Sequence, residues 1–551
     1  MGSDDSGLML TDTRVQQMAD AELWRDRTIL DFLDDRVSTT PDQVCVTDNN
    51  SVSGRSTSWS FRNIDRISRR LAAGLSAHGI GSGDVVAMQL PNWWEFLALH
   101  LACVRLGAIT NPLMPIFRAR ELEFMLAFAD TKAIVIPKTF RGFEYEPMID
   151  GLRPKLPALE QVFVVGGDGD NAFESALLER AWEEEVDTVA LFDASRPAPN
   201  QVVEYCYTSG TSGQPKAVMH TSNTLVSCVE GAFPLGIDER LVVLMGSPLA
   251  HQTGFLYGAL MPIMVGGRLV LMDIWNPEHA AKLIDAEGVT FTMGATPFLS
   301  DLTDTPAWDR YSVNTLELFV CAGAPIPRPL VANAQQRLGA HIVAGWGMSE
   351  NGLVSTTRRS DPQEKIFTTD GAPWKGMQAR VVNDTGEDVG LGKDGHLQVR
   401  GAANFVGYLK RPEAYDVDSD GWFGTGDIAR LDGDGYITVT GRAKDILIRG
   451  GENVPVAEVE SVMFDHPAVH KVAIVPMPDD RLGERGCAFV VLNEGQSLDM
   501  DSMKMHLKSQ EVAINYWPER LEQLDEMPMT PSGKIQKYKL RDMAKNYRVD
   551  N

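Results

Sequence analysis

The chain has 551 residues, with 51 Lys and Arg against 75 Asp and Glu, and a net charge of −24. That length divides among about two to four cores, and 44% hydrophobic with 23% charged residues is a globular composition, not a disordered or fibrous one. The acidic balance excludes sequence-independent nucleic-acid binding, and six cysteines without a C-x-x-C exclude a disulfide framework or zinc ribbon and point to a reducing cytoplasm.

The first 26 residues hold no basic segment followed by an apolar one, so a cytoplasmic chain is expected. Apolar spacing predicts a helix over Arg62–Ile80, a buried strand over Asp84–Leu90 and a second helix over Phe96–Ala108. Further strands are predicted at Lys132–Pro137 and Gln161–Gly166. After Glu204 the pattern resumes with EYCYT, RLVVLM, RLVLM, LELFVC and HIVAG. Strand and helix in alternation imply an α/β fold with a mostly parallel sheet flanked by helices. The apolar run Phe255–Met272 is broken by Gly266, Gly267 and Arg268 and is expected as a buried strand and turn, not a membrane span.

From about residue 373 to 441, strands joined by Gly/Asp turns suggest a β-rich subdomain within a large N-terminal domain, residues 1–441. Residues 442–551 read as a small α+β C-terminal domain: helix VAEVESVMFDHP, strands KVAIVPM and CAFVVLN, helix MDSMKMHLKS, and a closing basic helix KIQKYKLRDMAKNYR. Six Lys and Arg against one Asp make Thr530–Arg548 the most basic stretch.

The strongest chemical signal is YTSGTSGQPK, Tyr207–Lys216, directly after a predicted strand. Thr208, Ser209, Thr211 and Ser212 supply hydroxyls, Gly210 and Gly213 let backbone N–H groups approach an anion, and Lys216 adds a charge. This suits a polyphosphate. Gln-Pro before the lysine, and no Ser or Thr after it, separate the stretch from a Walker A loop.

This segment resembles the phosphate-binding signature of the adenylate-forming superfamily of acyl- and aryl-CoA synthetases, adenylation domains and luciferases. SPLAHQTG (Ser247–Gly254), CAGAPIP (Cys321–Pro327), GWGMSE (Gly345–Glu350), GWFGTGD (Gly421–Asp427), GRAKDILIRGGENV (Gly441–Val454) and PMTPSGK (Pro528–Lys534) follow in the family's order. GATPF, GENV and DDRLGERGCAFVV resemble the short- and medium-chain fatty acyl-CoA synthetase branch, with cyclohexanecarboxylate- and carnitine-CoA ligases close by.

The resemblance implies an ATP-dependent acyl-CoA synthetase using Mg2+, ATP and coenzyme A, with a small carboxylic acid as the other partner and a C-terminal domain that moves. It implies Glu350 as the Mg2+ ligand, Ser349 and Thr208 at the phosphates, and Asp427 with Arg442 at the ribose. Gly323, Ala324 and Pro325 are expected beside adenine, and Gly347 and Met348 among the residues that bind the cofactor. Trp346 either lies beside adenine or walls the acyl pocket. His251, Gln252 and Thr253 border the acid, Lys534 is the catalytic lysine, Lys444 the hinge, and Gly450-Gly451 the coenzyme A channel.

Where relatives carry a Lys-rich run, this chain has INYWPER, with Asn515 and Trp517. The expected wall residues His251, Gln252, Thr253, Trp346 and Met348 offer no basic side chain besides histidine, so an apolar acid of short to medium size is expected. Alternatives are an alicyclic or aryl acid, transfer of the acyl group to a carrier protein, and a nucleotide-binding sensor without turnover.

Overall fold

The computed structural model describes residues 6–208, 215–323, 326, 328–443, 447–449, 452–479, 481–530 and 533–547. Among them the chain builds two large, mostly parallel sheets, a four-stranded antiparallel sheet, and a terminal five-stranded sheet.

The nine-stranded sheet runs Ala372–Pro373, Gly352–Thr356, His341–Met348, Leu318–Ala322, Phe291–Gly294, Val242–Met245, Arg268–Met272, Val44–Asn50 and Arg55–Ser60. Its interior pairs are parallel and its margins antiparallel. The six-stranded sheet runs Lys216–Thr221, Val202–Thr208, Ile109–Pro112, Val85–Met88, Ala133–Pro137 and Gln161–Val165. All of its pairs are parallel except the first. Strands such as AIVIP and VVAM are buried along their whole length, as parallel strands covered on both faces must be.

The helix Trp94–Leu106 is buried at every residue, so its sequence is apolar nearly all round and lacks one wet face. It stops at Gly107, which takes φ 65° and closes the last turn in the left-handed conformation. The helix Phe61–Ala77 is amphipathic and capped by Ser60, whose hydroxyl accepts from Asn63 N–H.

Two expectations change. The run Phe255–Met272 is helical over Phe255–Leu260 and Met261–Val265, and only Arg268–Met272 is a strand. A run apolar on every side carries no periodicity to separate helix from strand. The closing basic segment is helical only over Lys537–Ala544. Lys534 is held instead in a turn, where its N–H donates to Thr530 Oγ1 and its carbonyl accepts from Thr530 N–H.

The antiparallel sheet comprises Met377–Val382, Gly395–Gly401, Phe423–Leu431 and Ile437–Arg442. The terminal sheet packs the helices Val456–Phe464 and Met500–Ser509 over its own core. This unit is docked on the rest. Phe464 packs against the cluster around Phe298 and Leu330, Arg430 pairs with Glu458, and Gly533 approaches Phe298 and Ala295.

Candidate active site

The strand pair Val202–Thr208 and Lys216–Thr221 places Thr208 opposite Lys216, at the two ends of the connecting loop. Ser209, Gly210, Thr211, Ser212 and Gly213 lie outside the described residues. The segment 406–409 is hydrogen-bonded along Lys216–Thr221: Met219 N–H donates to the Gly407 carbonyl and Leu409 N–H to the Ala217 carbonyl. This brings Tyr408 under Lys216, whose Nζ stands 4.6 Å from the ring centre. The Tyr408 hydroxyl donates to Glu350 Oε1 at 2.8 Å.

Glu350 follows the strand His341–Met348 and is 5% exposed. Burial raises its pKa, against which the Tyr408 hydrogen bond and the charges of Arg442 and Lys216 act. The turn holding it is tight: a Cβ at Gly347 would sit 1.8 Å from the Gly352 carbonyl oxygen, which leaves glycine alone at that position. The Ser349 carbonyl accepts from His220 Nε2 at 2.8 Å. Burial pushes His220 down to about 4, so its imidazole is neutral at physiological pH. Among the described residues no group of three or more metal-ligating side chains occurs. A cation here would rest on Glu350 together with substrate oxygens and water, which suits Mg2+.

Asp427 is 3% exposed, and Trp346 and Arg442 are among its partners. Trp346 Nε1–H reaches Oδ2 and Arg442 Nε reaches Oδ1, each at 2.9 Å. Arg442 stands directly opposite Asp427 in the antiparallel sheet.

Lys534 enters from the terminal unit. Its Cε would stand 3.3 Å from a Cβ at Gly323, and Gly323 has φ 85°, the left-handed conformation that favours glycine. Burial lowers the Lys534 pKa, Arg442 lowers it further, and Asp427 and Glu350 oppose them. Lys534 in turn acts on His251, which burial together with that positive charge pushes down to about 3. His251 Nδ1 accepts from Thr253 N–H at 3.3 Å, which leaves the proton of the neutral ring on Nε2. Gln252 beside it donates to Glu204 Oε2 at 3.1 Å.

Contacts and electrostatic interactions therefore link Lys216, Glu350, Trp346, Asp427, Arg442, Gly323, Lys534 and His251, with Thr208 opposite Lys216, Gly347, Met348 and Ser349 leading to Glu350, and Gln252 and Thr253 beside His251. Ala324, Pro325, Lys444, Gly450 and Gly451 lie outside the described residues. Trp517 is turned inward, its Nε1–H donating to the Val512 carbonyl, so it serves the terminal core. Arg520 bonds Glu522 and lies over the Tyr547 ring. A wide surface groove of about 1090 Å3, lined by Phe124, Phe128, Met148 and Leu152 among others, contains none of the linked residues.

Three participants escaped sequence reasoning. His220 lies four residues beyond the Tyr207–Lys216 stretch, and nothing local marks it as a partner of Ser349. Tyr408 and Glu204 stand in unremarkable patterns, and only the packing shows what they touch.

The family model described as AMP-binding enzyme matches residues 33–409, and its C-terminal domain model matches 458–534. The chain is 35% identical over 524 residues to the medium-chain fatty-acid–CoA ligase of Escherichia coli (strain K12), covering 94% of this chain and 91% of that protein. It is 34% identical to the 2,3-dihydroxybenzoate-AMP ligase of Bacillus subtilis (strain 168), covering 94% of each. The solved amide bond synthetase McbA of Marinactinospora thermotolerans superposes with a TM-score of 0.82 at 27% identity, covering 94% of this chain and all of that one (100%). With these motifs linked and both family models matched in order, the chain belongs to the AMP-binding enzyme family, the adenylate-forming ligases, and is an AMP-forming acid–CoA ligase that works with ATP, Mg2+ and coenzyme A.

Proposed function

We propose that this ligase activates a free carboxylic acid of short to medium size and delivers it to coenzyme A. In the first step a carboxylate oxygen attacks the α-phosphorus of ATP and the bond to pyrophosphate breaks, giving the acyl-adenylate. In the second, the coenzyme A thiolate attacks the acyl carbon and AMP leaves.

The observation that carries the first step is Lys534 lodged against Gly323, within electrostatic reach of Arg442, Asp427 and Glu350. An ammonium at that point offsets repulsion between two anions and stabilises charge developing during transfer. Thr208 and Lys216 would bind the phosphates, with Ser349 beside them. Asp427, oriented by Trp346 and Arg442, would take the ribose hydroxyls, and Gly323 with Ala324 and Pro325 would face adenine. Glu350 would hold the Mg2+, which when bound neutralises phosphate charge. Neutral His251, with Gln252 and Thr253, would line the entrance for the acid. We take the unit from residue 442 onward as the mobile part that turns about Lys444, so that Gly450-Gly451 line the thiol channel in the second step.

The E. coli relative supports the medium-chain acid. The B. subtilis relative supports a second reading, an aryl acid activated as its adenylate, which would then be passed on to a carrier protein instead of coenzyme A. A panel of short, medium, branched, alicyclic and aromatic acids, assayed for pyrophosphate release and then for AMP formation with free coenzyme A, tests both. The first reading expects thioester from free coenzyme A. Adenylate formation without thioester would favour the second, and no pyrophosphate from any acid would refute both.

A further inference from the structure

His220 lies on the strand Lys216–Thr221 with no exposed surface, and both of its ring nitrogens have partners. Nε2 stands 2.8 Å from the Ser349 carbonyl and Nδ1 3.0 Å from Thr224 Oγ1. A carbonyl oxygen only accepts, so the proton of the neutral ring is on Nε2, and Nδ1 accepts from the Thr224 hydroxyl. Thr224 is itself fixed. It forms a capping box with Thr221 at the start of the helix Ser222–Glu230, which is buried from Ser222 to Val229. One side of the imidazole is therefore held by a packed helix start, and the other side holds the Ser349 main chain.

The group held is the peptide that links Ser349 to Glu350. A peptide unit is planar, so fixing its oxygen orients the Glu350 N–H and the Cα atoms on either side. The Glu350 carbonyl, one unit further on, accepts from Phe405 N–H at 2.7 Å, and the Glu350 carboxylate accepts from Tyr408. The Ser349 side chain is hydrogen-bonded to the Cys206 thiol. Alternate residues of a strand share a face, so Lys216, Val218 and His220 point the same way, beside Thr208, Cys206 and Glu204 of the paired strand. Lys216 reaches Glu350 through the Tyr408 ring, and His220 reaches it through the main chain. His220 and Ser349 are 129 residues apart in sequence and belong to different sheets. The strand of Lys216 and His220 is an edge of the six-stranded sheet, whereas Ser349 and Glu350 lie between two strands of the nine-stranded sheet.

We propose that His220 is a positioning residue for adenylate formation, holding the Ser349–Glu350 peptide so that the Ser349 hydroxyl and the Glu350 carboxylate meet the ATP phosphates and Mg2+ together. This rests on the reading above, which puts those two side chains at the phosphates and the metal, and adds the group that sets their place. The triphosphate would be gripped from both sheets, by Thr208 and Lys216 on one and by Ser349 and Glu350 on the other. The Nε2–H bond ties the two grips across the gap between the sheets. Catalysis by fixed charges depends on where they stand, and a displacement of about 1 Å at such a contact can lower the rate about a hundredfold. Groups that orient a metal ligand act in the same way, without touching the metal.

The test compares His220→Gln, His220→Asn and His220→Leu in the full chain. The Gln amide can place an N–H where Nε2 stands, the shorter Asn amide reaches Thr224 alone, and Leu bonds neither. Pyrophosphate release at varied ATP, acid and Mg2+, with octanoate and benzoate as acids, follows the first half-reaction. Thioester formation from supplied octanoyl- or benzoyl-adenylate and coenzyme A, without ATP or Mg2+, follows the second. His220→Asn and His220→Leu should lower kcat for pyrophosphate release by about tenfold to a hundredfold and raise the Mg2+ concentration for half-maximal rate. The acid KM and the second half-reaction should stay close to their wild-type values, and His220→Gln should recover most of the lost rate. Equal losses in both half-reactions would overturn the proposal, because general loosening of the fold does not tell the two apart. So would a His220→Gln variant as impaired as His220→Leu, or a His220→Asn variant with wild-type kcat and magnesium titration. If His220→Leu does not fold, the contrast between Asn and Gln still decides. No pyrophosphate from the wild type with any acid of the panel above would refute the activating reading itself, and this inference with it.

Discussion

Trp346 and Asp427 are joined by an N–H···O bond of 2.9 Å between two elements of different sheets, the strand His341–Met348 and the strand Phe423–Leu431. The bond fixes one oxygen of a buried carboxylate while Arg442 fixes the other. It also places the indole at the end of the site where Asp427 stands.

Trp346→Phe keeps the ring and removes the donor. Hydrogen bonds to charged groups contribute about 1.5–3 kcal/mol, so kcat/KM for ATP should fall by about tenfold to a hundredfold. The acid KM should change far less. Initial rates of pyrophosphate release at varied ATP and varied acid separate the two. A changed acid KM with an unchanged ATP KM would put Trp346 in the acyl wall instead.

Tyr408→Phe removes the hydroxyl that holds Glu350 Oε1 and leaves the ring beneath Lys216. Partners that orient a metal ligand commonly contribute about tenfold or more. The Mg2+ concentration for half-maximal rate should therefore rise by about that factor at fixed ATP. An identical magnesium titration would detach Tyr408, and with it this geometry of Glu350, from metal binding.

Lys534→Ala should lower adenylate formation by about a hundredfold to a thousandfold, the scale seen when a preorganised charge-stabilising donor is removed. Thioester formation from supplied acyl-adenylate should be nearly unaffected. Equal loss in both half-reactions would mean that the position beside Gly323 serves more than the first step.

Stability should decline as pH rises above about 6.5. Burial pushes Asp48 up to about 7 and Glu95 up to about 8, and Glu204 likewise to about 8. A carboxyl whose folded pKa is raised binds its proton more tightly in the folded state, so its ionisation penalty is absent at about pH 4 and grows until pH passes the folded value. Buried neutral His100, His220 and His251 act the opposite way up to about pH 6.5, so melting temperature should fall between about pH 6.5 and 8 and level off above. Glu95→Gln removes one of the three groups and should flatten that slope; the same slope in the variant would exclude Glu95 as a source.

The sequence by itself determined the elements and the roster of chemical groups. The helices expected over Arg62–Ile80 and Phe96–Ala108 and the buried parallel strands follow from local periodicity and β-branched residues, because neighbours in the chain decide them, whereas the end of the second helix at Gly107 and the strand that sets Thr208 against Lys216 came from the structure. The ordered motifs likewise supplied Glu350, Asp427, Arg442 and Lys534. Only the tertiary structure decided which of these groups meet. Trp346 and Asp427 stand 81 residues apart, Glu350 and Tyr408 58, and Glu204 and Gln252 48. Their contacts depend on how whole sheets pack, and local periodicity carries no record of that. Glu204 shows this most clearly: in EYCYT it reads as an ordinary polar residue at the start of a strand. Burial between sheet and helix strips its water and raises its pKa, and these are properties of the surroundings, not of the residue.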